Sequence, residues 1–225
     1  MKLTKAVIAI GCAVVLSCAA ILIGPPPASA TPVLSLSDGT TTVTITGAPC
    51  GPISCVTFSG TVGVWFVNVS TGVSNQPDGF IDLNSIDISN GAGHLTIKLG
   101  DVDFSQGAGP HTFNVISGIG GTAAGTVTWN SGLNDSNSNP VSGGCCDQTG
   151  PTHGPLGPGA FSATIGDPYT ADGTFALLLQ VDIYHTGSGI QSTSFDYEGK
   201  VPEPASLLLL GVGLLTTAAL RRRAA

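Results

Sequence analysis

The sequence predicts an all-β protein: a single β-sandwich, Ig-like or jelly-roll in topology, between an N-terminal signal peptide and a C-terminal apolar helix. Three observations predict it. Apolar and polar residues alternate through most of the chain, and a period of two marks half-buried strands. Turn formers such as Asp38-Gly39, Asn90-Gly91 and Ala171-Asp172-Gly173 recur between the alternating runs, supplying the positive φ that tight reversals need. Nothing between residues 31 and 200 sustains a 3.6-residue period with caps. Short strands joined by Gly-rich turns indicate a sandwich, and Thr31 to Lys200 is long enough for one domain with a sizeable core.

From the start of the chain, Lys2 and Lys5 precede an uncharged, mostly apolar run, Ala6 to Gly24. Ala28-Ser29-Ala30 then forms a small-x-small cleavage site. Residues 1–30 are read as a secretory signal peptide, with Ala28 and Ala30 marking the cut. Strands follow at Val33 to Ser37 and Thr42 to Thr46. Val62 to Val69, carrying Trp65 and Phe66, is expected deep in the core. Ile81 to Ile88 shifts phase at Asn84-Ser85, where a bulge is expected. His94 to Leu99, His111 to Ile116, Gly125 to Trp129, Phe161 to Ile165, Phe175 to Tyr184 and Gln191 to Tyr197 complete the set. Ser59-Gly60, Gly107 to Pro110 and Gly118 to Gly121 are read as turns. Residues 133–158 are rich in Asn, Ser, Gly and Pro and form a long loop. Glu198-Gly199-Lys200 is a short linker.

At the far end, Val201-Pro202-Glu203-Pro204 is followed by an apolar run from Ala205 to Leu220 and then by Arg221, Arg222 and Arg223. Prolines stop any strand or helix, the apolar run can enter a bilayer, and the arginines hold its end on the cytoplasmic side. At 1.5 Å per residue that helix spans about 24 Å, short against a hydrocarbon core of about 30 Å. The three zones closely resemble the PEP-CTERM sorting signal of Gram-negative surface proteins, with the motif on Pro202, Glu203 and Pro204, the transmembrane helix on residues 205–220 and the basic cytoplasmic tail on 221–225. The resemblance covers only residues 201–225, so it speaks to address. It implies an exosortase-type membrane enzyme as processing partner, transient anchoring in the inner membrane, and then release to the envelope surface or outside the cell. It also implies a link to exopolysaccharide or biofilm.

Charge narrows the partners. The segment 31–200 holds thirteen Asp or Glu against two lysines, Lys98 and Lys200. That excess argues against nucleic acid, which needs clustered Lys and Arg. Four cysteines follow the signal peptide: Cys50, Cys55, Cys145 and Cys146. An even number in an oxidising compartment reads as disulfides. A bridge between adjacent cysteines is strained, so the expectation is that the Cys50–Cys55 segment is stapled to Cys145 and Cys146, tethering the long loop.

Candidate chemistry is sparse. There is no G-x-S-x-G, and His94, His111, His153 and His185 are scattered. Gly118 to Ala123 matches a dinucleotide pattern, but a strand follows where a helix is required. Asp101 and Asp103, two apart on an extended segment, are candidates for a calcium site; no other cofactor is expected. The only glutamates are Glu198 and Glu203, and nothing in the sequence marks an Asp as a raised-pKa acid for glycoside hydrolysis. Trp129, Tyr169 and Tyr184 are candidates for sugar-stacking platforms. The chain therefore reads as an exported, non-catalytic surface or matrix protein. The alternative is a secreted carbohydrate-active enzyme or carbohydrate-binding module.

Overall fold

The structure, a computed structural model, describes residues 30–76, 79–141 and 145–202. Twelve strands form it: β1 (Val33–Ser37), β2 (Thr42–Thr46), β3 (Ala48–Cys50), β4 (Ile53–Val62), β5 (Trp65–Asn75), β6 (Phe80–Asn90), β7 (Gly93–Ala123), β8 (Thr126–Asn134), β9 (Gln148–Thr149), β10 (His153–Leu156), β11 (Gly159–His185) and β12 (Ile190–Lys200). Every pairing is antiparallel.

Two layers share the long strands β7 and β11. The first halves of β7 and the second halves of β11 belong to layer one, in the order β2–β1–β7–β11–β8–β10. The remaining halves belong to layer two, β3–β4–β5–β6–β12–β7–β11. The two strands turn the corner together: Asp172 faces Pro110 and Thr174 faces Ser105, with the register broken between them. Gly107, Gly109 and Gly173 have φ of 96°, 92° and 92° there. Strands that switch layers at glycines and bulges make corners in packed sheets. The expected turns at Gly107–Pro110 and Ala171–Gly173 are therefore bends within two strands.

The core lies between the layers. Phe113 on the layer-two half of β7 packs on Phe175 at a ring separation of 5.2 Å. Trp65 of β5 meets His185 of β11 at 4.6 Å. Gly199 is tight for the same reason, since an added Cβ would stand 2.9 Å from Leu179. Its strand partner Ile81 and the inward Leu83, Phe195 and Tyr197 are fully buried or nearly so.

Several sequence expectations are corrected. β6 keeps strict alternation: Ile81, Leu83, Ser85, Asp87 and Ser89 face inward while Ile86 faces out. No phase shift occurs at Asn84-Ser85; the register break falls on β5, between Val69 and Thr71. Trp65 is buried as expected, but Phe66 points outward, 47% exposed. Ser59-Gly60 lies within β4, and Gly118–Gly121 within β7. Gly121 is there because Ser194 O and Phe195 Cα of β12 leave no room for a Cβ, not for a reversal. Glu198-Gly199-Lys200 is the end of β12 and not a linker.

The long loop begins after Asn134 and contains β9 and β10. It is not tethered by cystines. Cys50 bonds Cys55 within the β3–β4 hairpin, whereas Cys145 and Cys146 are thiols with sulfurs 3.1 Å apart. Polar side chains fasten the loop in their place. Asp103 N–H donates to Asn137 Oδ1 at 2.8 Å, and Asn137 Nδ2 returns a bond to Asp103 Oδ1 at 2.7 Å. Both residues hold positive φ, 67° and 54°, a conformation that Asp and Asn tolerate best among non-glycine residues. Pro140 and Val141 then seat on Gly100.

Among the described residues no helix is long and apolar enough to cross a membrane. The signal peptide up to Ser29, and Glu203 onward with the helix 205–220 and Arg221 to Arg223, lie outside the described residues.

Candidate functional site

The outer face of layer one carries a connected group of polar side chains. Alternation on β11 turns Gln180, Asp182 and Tyr184 outward, opposite Lys98, Thr96 and His94 of β7 and Asn130, Thr128 and Thr126 of β8. Tyr184 and His94 stack face to face, centroids 4.3 Å apart and planes 1° from parallel. Asp182 is the hub. Its Oδ1 accepts from Thr96 Oγ1 at 2.6 Å and lies 2.9 Å from His94 Nε2; its Oδ2 accepts from Gln180 Nε2 at 2.7 Å. Burial, and then the Asp182 charge, push the Tyr184 phenol up. The ring remains 40% exposed. The loop over Gly100, with Cys146 above Gly132, walls one end of this face.

Layer two carries a second feature on its outer face. Register aligns Asn84, Asp196, Gly120 and Ser162 in one row and Asp82, Glu198, Gly118 and Thr164 in the next. Without side chains at Gly118 and Gly120 the rows enclose a shallow depression of about 380 Å³, walled by Asp196, Glu198, Ser162 and Thr164. Asp82 hydrogen-bonds Asp196 beside it. Burial, then that bond and the charges of Asp196 and Glu198, push the Asp82 carboxyl up to about 7. Sequence reasoning missed this acid, because the only signal for it is the β6–β12 register. A directly hydrogen-bonded pair shares a proton; glycosidase carboxyls stand about 5–5.5 Å or 6.5–9.5 Å apart.

A Ser/Asp/His group also occurs, at the junction of β8, β10 and β11. Ser131 Oγ donates to Asp167 Oδ2 at 3.2 Å, and His153 Nε2 lies 3.0 and 3.1 Å from the two Asp167 oxygens. The carboxylate stands between serine and histidine, so the imidazole is not placed to take the serine proton. With Tyr169 OH 2.9 Å from Ser131 Oγ, the group is a buried polar pin holding β10 to the body.

The remaining predicted residues are dispersed. Asp101 is buried, accepting from Gln76 Nε2 at 2.6 Å and from Val102 N–H at 2.8 Å. Asp103 holds a positive φ, and each of the two carboxylates is engaged by a different amide, Asp101 by Gln76 and Asp103 by Asn137. Among the described residues no group of three His, Cys, Asp or Glu could hold a metal ion. Trp129 and Tyr169 are 2% and 3% exposed, which leaves Tyr184, at 40%, as the one exposed aromatic of the three. Ala30 is buried and its carbonyl accepts from Ser54 Oγ at 2.5 Å. Val201 is also buried, and Pro202 exposed.

Fold and faces together define an all-β antiparallel sandwich whose last strand runs directly into the C-terminal motif. That end is a PEP-CTERM protein-sorting motif, matched over residues 200–223. The motif implies export, processing by an exosortase and sorting to the cell surface. No curated protein sequence matches the chain. Among solved structures, the C-terminal CBM6 of the laminarinase LamC from the marine Zobellia galactanivorans is similar at 10% identity, over 75% of this chain and 99% of that one, with a TM-score of 0.26. TmCBM61 in complex with β-1,4-galactotriose matches at 8% identity, covering 63% and 91% with a TM-score of 0.25. The isomalto-dextranase of Arthrobacter globiformis T6 matches at 12% identity, covering 76% and 35% with a TM-score of 0.27.

Proposed function

We propose that the mature domain is a non-catalytic, adhesive component of the extracellular matrix that holds exopolysaccharide against the outer face of layer one. The observation that carries this reading is the Tyr184–His94 stack, an aromatic surface that is half open to solvent and fixed by the Asp182 network. An aromatic ring offers an apolar face with a polar tip, which suits the axial C–H faces of a pyranose. Thr96, Lys98, Asn130 and Gln180 supply hydrogen-bonding groups in the flat rows beside it. The acidic composition is compatible with a neutral or basic glycan.

The test is binding of the secreted, mature chain to a glycan array and to exopolysaccharide from biofilm-forming cells. Y184A is expected to weaken binding at least tenfold, about 1.4 kcal/mol, without lowering the melting temperature. Unchanged binding by Y184A would refute the assignment of this face. A catalytic second reading has one observation in its favour, the raised acid Asp82 in the depression on layer two. Product release from labelled oligosaccharide that disappears in D82N would support it.

A further inference from the structure

We infer that the folded domain itself clamps the first half of the sorting motif, and so sets the rate at which the processing enzyme acquires it. This rests on the reading that the chain is processed at that motif. β12 ends at Lys200, which pairs with Phe80 and Ile116. The next residue adds one more rung: Val201 N–H donates to Gly79 O at 2.7 Å. Its side chain is 4% exposed and belongs to the hydrophobic core. Pro202 has no N–H, so its carbonyl is its one backbone polar group, and Gln106 Nε2 donates to it at 2.6 Å. Gln106 comes from the corner of β7 and is itself buried.

Gly79 shows how close the fit is. An added Cβ there would lie 2.8 Å from Val201 O and 3.0 Å from Val201 Cβ. Bound peptides are commonly held as an added strand through main-chain hydrogen bonds. Here the Val201 N–H and Pro202 C=O that such an enzyme would use are already taken by the domain. No linker separates β12 from the motif, so these groups become available only when the last rung of β12 opens. Local opening of a strand end is cheap compared with global unfolding, which makes it a rate-setting step and not a block. Gln106 is thus a positioning residue for processing, although it lies far from the motif in sequence.

The test is a pulse-chase of the full-length chain in cells that carry an exosortase, separating tail-bearing from tail-free protein by mass. Q106A is expected to be processed about fivefold faster, the factor that corresponds to one net hydrogen bond of about 1 kcal/mol. Q148A is the control: it removes a comparable pair of bonds to Thr170, at 2.5 and 2.9 Å, away from the motif. It should leave the rate unchanged. In hydrogen exchange, the Val201 amide should be protected in the wild type and lose protection in Q106A alone. Equal rates for wild type and Q106A, or the same acceleration by Q148A, would overturn the clamp while leaving processing intact. A wild-type chain that is never cut would overturn the processing reading, and the clamp with it.

Discussion

Replacing Asp87 by asparagine tests whether the interior of the sandwich is held by a neutral acid. Asp87 lies on the inward face of β6 with no exposure. Ser85 Oγ donates to its Oδ1 at 2.7 Å, and its Oδ2 has no hydrogen-bond partner in the structure. Burial raises the carboxyl from 3.8 to about 7, against the smaller opposing pull of the Ser85 bond. The unfolded chain ionises this group above 3.8, whereas the folded chain keeps the proton until about 7. Stability from protonated Asp87 is therefore complete below 3.8 and is lost as pH climbs through 7. The loss runs at about 1.4 kcal/mol per pH step, about 4 kcal/mol in all. Asp82 acts in the same direction with a smaller, solvent-screened effect. His185, bonded to Ser89 Oγ and Thr193 Oγ1 at 2.7 and 2.8 Å, is pushed down by burial and acts oppositely, losing stability as pH falls below 6.5. Urea unfolding of the mature chain between pH 4 and pH 8 reads the sum. The wild type should be more stable near pH 4 than near pH 8. D87N should remove at least about 2 kcal/mol of that difference. A D87N slope identical to the wild type would refute the neutral-acid account.

Two further outcomes concern how the loop and the edge hairpin are fastened. N137A removes both bonds to Asp103 and should cost about 1–3 kcal/mol. Hydrogen exchange should then quicken across residues 135–141 and at the Asp103 amide, leaving the amides paired between β7 and β11 unchanged. C50S should cost about 2 kcal/mol, because the Cys50–Cys55 bridge closes a loop with a separation of only 5 residues. A bridge to the long loop would be worth up to about 4.7 kcal/mol. Non-reducing peptide mapping checks this directly: a peptide joining Cys50 or Cys55 to Cys145 or Cys146 would contradict the observed pairing.

Period-two alternation was enough to place β1 and β2 at their observed bounds and to read the sandwich. It failed where the apolar rule is broken for another reason. On β6, Ile86 and Ile88 look like core residues, yet they face outward because Ser85, Asp87 and Ser89 occupy the interior with His185. Gly107–Pro110 and Gly173 carry turn chemistry, but whether a glycine reverses a strand or bends it depends on its partner. β7 and β11 bend opposite each other, and that pairing spans residues far apart in sequence. The Asp82–Asp196 pair was illegible for the same reason. The cysteine expectation failed because four thiols were assumed to be fully used, whereas Asn137 and Asp103 already supply the tether. Tyr184 was legible as an exposed aromatic candidate; its stacking partner His94 comes from a different strand and was not.

The shared corner strands also order the events of export. The open ends of the β7–β11 ladder are Gly93 and His185, so a chain emerging amino end first leaves β7 without its main partner until residue 185 has crossed. Until then each layer is a half-sheet with bare edges, the form most prone to pair with a neighbouring chain. β12 arrives last, yet it must slot between β6 and β7. Its final residue adjoins the sorting motif. The sheet therefore closes only when the residues that immediately precede the sorting motif have arrived.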